Sequence, residues 1–241
     1  MQSPFHVGLS AQLALQRRLD TVANNVANAS TAGFRAEEVK FETLLSQVSD
    51  TPVAFVSAGS RHLSQRAGEI APTGNPFDVA VQGNAWLGMQ TPAGIAYTRD
   101  GRLHMTPTGE LQTVNGYPVL DAGGAPIQLD PNAGEPRIAR DGAISQGNRA
   151  VGSIGLFRID DKATLTRFDN SGVLSDRPAT PVVEFSQTGL QQGFVEGSNV
   201  DPVMEMTKLI ALSRAFDAVT ATLRDAEAST QEAVRTLGAT S

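Results

Sequence analysis

Apolar residues recur along this chain in three rhythms, and the changes of rhythm divide it. From Phe5 to about Ala29 no proline occurs, and Leu15, Leu19, Val22, Val26 and Ala29 follow at alternating spacings of four and three. That period predicts a helix with one apolar seam. It is expected to end at Asn28-Ala29-Ser30-Thr31-Ala32-Gly33, where Asn and Gly tolerate the left-handed backbone that closes helices. A second helical rhythm follows Gly197-Ser198-Asn199-Val200-Asp201-Pro202, in which Asn199 or Asp201 serves as cap and Pro202 fits the first turn. Its seam runs through Leu209, Leu212, Phe216, Val219, Leu223, Ala226, Thr230, Ala233 and Leu237, with no Pro or Gly before Gly238. This is the period of a left-handed coiled coil.

The middle is different. Asp100-Gly101, Thr108-Gly109, Asn115-Gly116 and Gly123-Gly124 mark turns at short intervals, and Ala96 to Thr98, Leu103 to Met105, Leu111 to Val114 and Tyr117 to Leu120 lie between them. These four runs predict an antiparallel meander. Further strands are expected at Phe77 to Val81, Ala85 to Thr91, Ser153 to Ile159, Val182 to Phe185 and Leu190 to Val195. Between the first helix and this region, Phe34, Phe41, Leu44 and Leu45 alternate with Arg35, Glu37, Glu38 and Lys40, which reads as an extended or partly helical arm. The fold class is therefore α+β: terminal helices forming a coiled-coil-like module, with a mainly antiparallel β domain between them. The expected division is 1–32 for the N-terminal helix, 33–51 for the arm, 52–196 for the β domain and 197–241 for the C-terminal helix.

Two helices from opposite ends of the chain meet only if the β domain returns the chain to where it left. Such a pair buries little apolar surface, and helices owe most of their stability to packing. The second helix also carries Val203, Met204, Ile210, Ala211, Ala215 and Ala218 off its seam, a wider apolar face than one partner covers. Both ends are thus expected to be disordered in an isolated monomer and helical in an assembly with other copies; a head-to-tail contact that does not close gives a filament. The competing reading is that the helices simply cover one end of the β domain.

Composition narrows the function. Hydrophobic residues make up 40% of the 241, enough for a core, while aromatics are only 5%. A net charge of −6 removes the basic footprint of a nucleic-acid binder. No run approaches the roughly 18 apolar residues of a membrane span, so no direct membrane insertion is expected. From Asp201 onward four basic residues (Lys208, Arg214, Arg224, Arg235) face six acidic ones (Asp201, Glu205, Asp217, Asp225, Glu227, Glu232), a balance that anionic lipid repels. Met1 to Leu15 has no basic n-region, so a cleaved signal peptide is not expected. The chain has no cysteine, which removes disulfides, thiolate sites and a thiol nucleophile.

Candidates for chemistry are sparse. His6, His62 and His104 stand apart, with no metal-binding pair spacing, and the nucleophile-elbow and phosphate-loop patterns are absent. Asp130, Asn132 and Glu135, or Asp169 and Asn170, could hold calcium weakly, but turn chemistry accounts for them better. A secreted β-rich enzyme would need acids such as Asp78, Asp100 and Asp121 to converge in a cleft. No catalytic residue, metal or cofactor is expected.

The run Ala23-Asn24-Asn25-Val26-Ala27-Asn28-Ala29-Ser30-Thr31-Ala32-Gly33-Phe34 resembles the N-terminal signature of the flagellar rod and hook proteins. The preceding Val7-Gly8-Leu9-Ser10, Gln12, Ala14-Leu15-Gln16-Arg17 and Asp20 are more similar to the proximal rod member than to the distal one. So are Glu196-Gly197-Ser198-Asn199-Val200-Asp201-Pro202-Val203, Glu205-Met206, Leu209-Ile210, Arg214 and Phe216. Phe77 to Gly83, Tyr97 to Gly101 and Gly116 to Leu120 extend the resemblance through the middle. Asp217, Trp86 and Gly88 depart from the usual residues of that family, which affects packing detail rather than role.

The resemblance implies a structural subunit of the flagellar proximal rod, the drive shaft of the basal body. A distal-rod or hook-type subunit is the alternative. It further implies export through the flagellar type III channel without signal cleavage, a place in the rod that spans the periplasm, and partners that are other rod proteins and further copies of the chain. Seam and resemblance together point to Leu15, Leu19, Val22, Asn24, Asn25, Val26, Asn28, Gly33 and Phe34 as subunit-facing residues at the first end. At the other end they point to Asn199, Val200, Met206, Leu209, Leu212, Arg214, Phe216, Val219 and Leu223. The three asparagines are poor helix formers that either bond to neighbours, the favoured reading, or satisfy the last carbonyls of the helix. Arg214 could pair with Asp217 or Asp201, or lie over the seam.

Overall fold

A computed structural model describes residues 3–40, 43–46, 53–56 and 60–238. The chain divides into two compact units: Met1–Ala27, Glu37–Leu63 and Asp201–Ser241 form the first, and Asn28–Ala36 with Ser64–Val200 form the second.

The first unit holds both helices, α1 (Ser3–Ala27) and α2 (Pro202–Gly238), with four strands: β1 (Glu37–Lys40), β2 (Thr43–Ser46), β3 (Val53–Val56) and β4 (Ser60–Leu63). The described residues of the arm take the extended alternative, and its strands pair antiparallel, β1 with β4 and β2 with β3. Phe41 lies outside the described residues, as do the side chains of His6, Leu44, Leu45, Thr230, Ala233 and Leu237. Asp201 caps α2, its Oδ1 accepting from the amides of Val203 and Met204 at 3.0 and 3.1 Å, with Pro202 in the first turn.

The helices run antiparallel. Gly8 lies against Leu223, Gln12 Nε2 donates to Thr220 Oγ1 at 3.2 Å, and Asn25 reaches Glu205. Both segments form helices, and each covers part of the other's seam. Val22 and Leu212 are buried, and Leu15, Leu19, Val26, Leu209, Phe216, Val219 and Leu223 are half-buried.

The second unit is β throughout. Its strands are β5 (Ile70–Pro72), β6 (Val79–Gln82), β7 (Trp86–Thr91), β8 (Gly94–Thr98), β9 (Leu103–Met105), β10 (Leu111–Thr113), β11 (Pro136–Ile138) and β12 (Ala143–Gln146). They continue as β13 (Arg149–Ser153), β14 (Leu156–Arg158), β15 (Leu165–Phe168), β16 (Gly172–Ser175), β17 (Thr180–Pro181), β18 (Gly189–Gln192) and β19 (Phe194–Glu196). The main sheet has the order β15-β16-β8-β7-β14-β17; β11-β12-β13 form a second sheet, and β9-β10, β6-β18 and β5-β19 form pairs. One core unites them, built from alternate residues such as Val79 and Val81, with Leu87, Leu103, Leu111, Val119, Ile127, Leu129, Ile144, Ile154, Leu156 and Leu190.

The expected four-strand meander does not form. β8 pairs with β7 and β16, while β9 pairs with β10. The break falls at Asp100-Gly101: Asp100 Oδ1 accepts from the backbone and the guanidinium of Arg102, and Gly101 lies so close to Val79 that a Cβ would sit 1.7 Å from its carbonyl oxygen. The chain is thereby turned out of the sheet. The fourth run, Tyr117 to Leu120, makes only isolated bridges, because Pro118 has no N–H to give a ladder. Two other strands shift: the expected Val182–Phe185 strand is replaced by β17 just before it, and Leu190–Val195 is split by Gly193 at φ 78 into β18 and β19.

Candidate functional site

Two features are candidates, one in each unit. In the first unit α2 exposes apolar side chains that α1 does not cover: Val203 is 72% accessible, Met204 56%, Met206 54% and Ile210 55%. At 100° per residue, Val203, Met206 and Ile210 lie about 120° to one side of the Leu209/Leu212/Phe216 seam, and Met204 with Ala211, Ala215 and Ala218 about 120° to the other. All of these are exposed, as are Leu9 and Leu13 of α1. The helix is therefore apolar on both flanks, in the absence of any membrane-spanning length among the described helices. Arg214 is exposed, and the ion pairs of the described residues do not join it to Asp217 or Asp201.

Asn25 is buried in this unit. Its Nδ2 donates to the carbonyl of Glu37 at 2.9 Å and to Glu205 Oε2 at 3.2 Å, and its Oδ1 accepts from the Glu37 amide at 2.9 Å. The side chain thus copies a strand neighbour for the start of β1 and at the same time holds the buried Glu205 of α2. Asn24 is half-buried on the same helix.

In the second unit the stretch that follows α1 meets the stretch that precedes α2. Gly33 donates its amide to the Glu196 carbonyl at 2.8 Å, and Asn199 donates its amide to the Phe34 carbonyl at 3.2 Å. The side chain of Asn199 does not cap α2; its Oδ1 accepts from the Ala36 amide at 2.7 Å and its Nδ2 donates to the Arg66 carbonyl at 2.7 Å. Gly33 has φ 67 and a Cβ there would lie 2.2 Å from the Asp100 nitrogen, so the position admits only glycine. Phe34 is fully buried with the Arg167 guanidinium 4.3 Å from its ring centre. Asn28 accepts the Thr31 amide on its carbonyl, closing the turn after α1, and Val200 is buried.

At the centre lies a buried Arg–Glu–Arg cluster. Glu196 Oε1 accepts from Arg35 Nη2 at 2.8 Å and from the Gly68 amide at 3.0 Å; Oε2 accepts from Arg99 Nε and Nη2 at 2.8 and 2.7 Å. The side chains of Arg35, Arg99 and Glu196 are 6%, 2% and 1% accessible. Arg35 further donates to the carbonyls of Gln65 and Arg66, and Arg99 to those of Val81, Gly83 and Ala85. Trp86 lies between the two guanidiniums, 5.8 and 5.9 Å from its ring. Burial pushes Arg35 down to about 10 against the pull of Glu196, and lowers Arg99 in the same way. Both stay cationic at neutral pH, so the cluster carries one positive charge in excess.

Sequence reading placed Arg35 in an extended or partly helical arm and missed this cluster. The available signal was a charge beside buried residues at three places, Phe34-Arg35, Thr98-Arg99 and Val195-Glu196, but nothing in one sequence joins positions so far apart. Two of the three departures noted in the sequence acquire reasons: Trp86 presents its ring to both arginines, and Gly88 leaves room for the Phe157 ring, which a Cβ would meet at 2.6 Å.

The residues weighed for chemistry have local tasks. Asp78 accepts from Asn75, Asp100 pairs with Arg102, and Asp121 accepts the amides of Gly123 and Ala125 in its own turn. Asp130 accepts the Asn132 amide, Asp169 accepts from Asn115 Nδ2, and His62 faces Glu38 across β1 and β4. Among the described residues no three His, Asp or Glu side chains gather as metal ligands.

Comparison with known proteins bears on both features. Residues 5–35 match the family model described as flagella basal body rod protein, 80–146 that of the flagellar hook protein FlgE/F/G D1 domain, and 191–236 that of the flagellar basal body rod FlgEFG protein C-terminal. The chain is 52% identical over its full length, and that of the relative, to the flagellar basal-body rod protein FlgF of Mesorhizobium japonicum. It is 49% identical to the protein of that name from Rhizobium meliloti and 38% to that from Caulobacter vibrioides, with 99% of each chain covered.

Proposed function

The chain belongs to the FlgF family of flagellar basal-body rod proteins and is a non-enzymatic structural subunit of the flagellar rod, and from that premise we propose that it builds the proximal rod through its terminal helices. The observation that carries the proposal is the apolar surface on both flanks of α2, with Val203 at 72% and Ile210 at 55% accessibility. Isolated apolar residues on a surface are ordinary, but a helix apolar on three sides is one that expects more than one neighbour. Its own α1 takes the seam; other subunits take the flanks.

In this reading Met206 and Arg214, exposed on α2, face neighbours directly. Leu15, Leu19, Val22, Val26, Leu209, Leu212, Phe216, Val219 and Leu223 hold α1 and α2 together as one coiled-coil-like surface, and Asn25, Gly33, Phe34, Asn199 and Val200 support that surface from within the chain. The neighbours are other copies and other rod proteins of the basal body. The subunit reaches them through the flagellar type III export apparatus, without a cleaved signal, and stands in the part of the rod that spans the periplasm. The distal-rod and hook-type readings share the same physics; what favours the proximal reading is that the relatives of higher identity carry the FlgF name.

The test replaces Met206 and Ile210 by Glu. Both are exposed, so the purified subunit should melt within about 0.5 kcal/mol of the parent. Cells carrying the variant in place of the parent should make truncated basal bodies and fail to swim. Normal rods and normal swimming would refute the proposal.

A further inference from the structure

The apolar seam of α2 would pair as well with α1 of another copy as with its own. Something must select the pairing within the chain. The earlier parts of the first unit, Met1–Ala27 and Glu37–Leu63, are connected to α2 only by way of the β unit, and the last stretch before α2 is Glu196-Gly197-Ser198-Asn199-Val200. A Gly-Ser pair at that place is a natural hinge about which α2 could swing to a neighbour. In the structure the hinge is fixed at both ends. Glu196 is held by Arg35, Arg99 and the Gly68 amide, and Asn199 by Ala36 and Arg66. Gly197 is itself tied, its amide donating to the Glu69 carbonyl at 2.8 Å, and Gly68 approaches so closely that a Cβ there would lie 2.0 Å from the Gly197 carbonyl oxygen.

We infer that Glu196 and Asn199 form a clasp that determines partner choice: by immobilising the hinge, they commit α2 to α1 of the same chain and prevent exchange of α2 between copies. Three of the clasp's anchors, Arg35, Ala36 and Arg66, adjoin the points where the chain passes to β1 and from β4, so the points at which the chain leaves for and returns from the helical unit are held together within the β unit. The physical basis is effective concentration. A flexible tether alone presents its partner at about millimolar concentration, roughly a hundredfold over about 10 µM protein, and a fixed hinge raises that further; freeing the hinge loses the added factor and lets the same seam contacts form between chains more often. No new contact is needed for exchange, only loss of the restraint.

The absence of cysteine makes the test clean. Gly8→Cys and Leu223→Cys are introduced together, since a Cβ at Gly8 would lie 3.2 Å from Leu223 Cγ and so within disulfide reach across the helix pair. Mild oxidation then gives an intrachain bridge or a covalent dimer, read on a non-reducing gel. In the parent background the bridge should be intrachain. With Asn199→Ser, which leaves the ion cluster intact, and separately with Glu196→Gln, the share of covalent dimer should rise about tenfold at about 10 µM. Fluorescence of Trp86, the sole tryptophan and a neighbour of both arginines, reports whether the β unit is folded in each variant. Folded variants that bridge only within the chain would overturn the inference. So would unfolding of the β unit in both variants, since the residues would then hold the β fold and not the hinge.

Discussion

Glu196→Gln is nearly isosteric, so it separates charge from shape at the centre of the β unit. The parent cluster sets one carboxylate between two guanidiniums, with accessibilities of 1%, 6% and 2%. The variant leaves two buried cations and no anion. An amide also offers one acceptor where the carboxylate accepts four donors: Arg35, Gly68 and two from Arg99. Removing one member of a buried ion pair costs about 3–5 kcal/mol, mostly because the remaining charge is stranded without water. Set against a total stability of about 5–15 kcal/mol, the variant should fold but with a narrow margin. For a protein of this length the loss corresponds to a fall in Tm of about 6–20 °C. Urea titration followed by Trp86 fluorescence measures the β unit directly, and circular dichroism follows the helices. A companion with Arg35, Arg99 and Glu196 all replaced by Met or Leu should recover most of the loss, because a dry apolar cluster strands no charge. If Glu196→Gln falls within about 1 kcal/mol of the parent, the cluster is not balanced by its carboxylate and the reasoning is wrong.

Gly33→Ala should cost at least about 2 kcal/mol, since the left-handed backbone disfavours any Cβ and this one would strike the Asp100 nitrogen; urea midpoints decide it. Asn25→Ala removes three bonds inside the helical unit and should cost about 1–3 kcal/mol there, read as faster hydrogen exchange at β1 and the end of α1; impaired assembly with unchanged exchange would return Asn25 to a purely intersubunit role. Burial lowers Arg35 from its ordinary value to about 10, so between that pH and the ordinary guanidinium range the unfolded chain holds a proton that the folded chain has lost. Through this group stability rises as pH climbs above about 10 and is level below, so the cluster itself should give no slope in urea midpoints between about pH 6 and 8.

The two helices were legible because their period extends over many residues, and the cap at Asp201-Pro202 because capping is local chemistry. The strands were legible mainly where turns follow from adjacent residues, as at Gly109, Gly116 and Gly124, all with positive φ. What failed was the assignment of neighbours. Ala96 to Thr98 has the composition of a strand whichever strand lies beside it, and the local pattern does not record that Gly172 and Val173, far along the chain, take that place. The asparagines illustrate a subtler limit: Asn25 was recognised as a residue needing a partner and Asn199 as a possible helix cap, but not that their partners lie at Glu37, Glu205, Ala36 and Arg66. The arginine cluster was invisible for the same reason, since its three members are ordinary surface residues until the fold excludes water from them.

The bond between Ala36 and Asn199 spans 163 positions, and that between Gln12 and Thr220 spans 208. Contacts of such separation are late events, because the loops they close must be ordered first. A chain that emerges from a ribosome or a narrow conduit with Met1 leading must therefore keep its first helix waiting until almost the last residue is out. The earliest segment made is the latest to find its place.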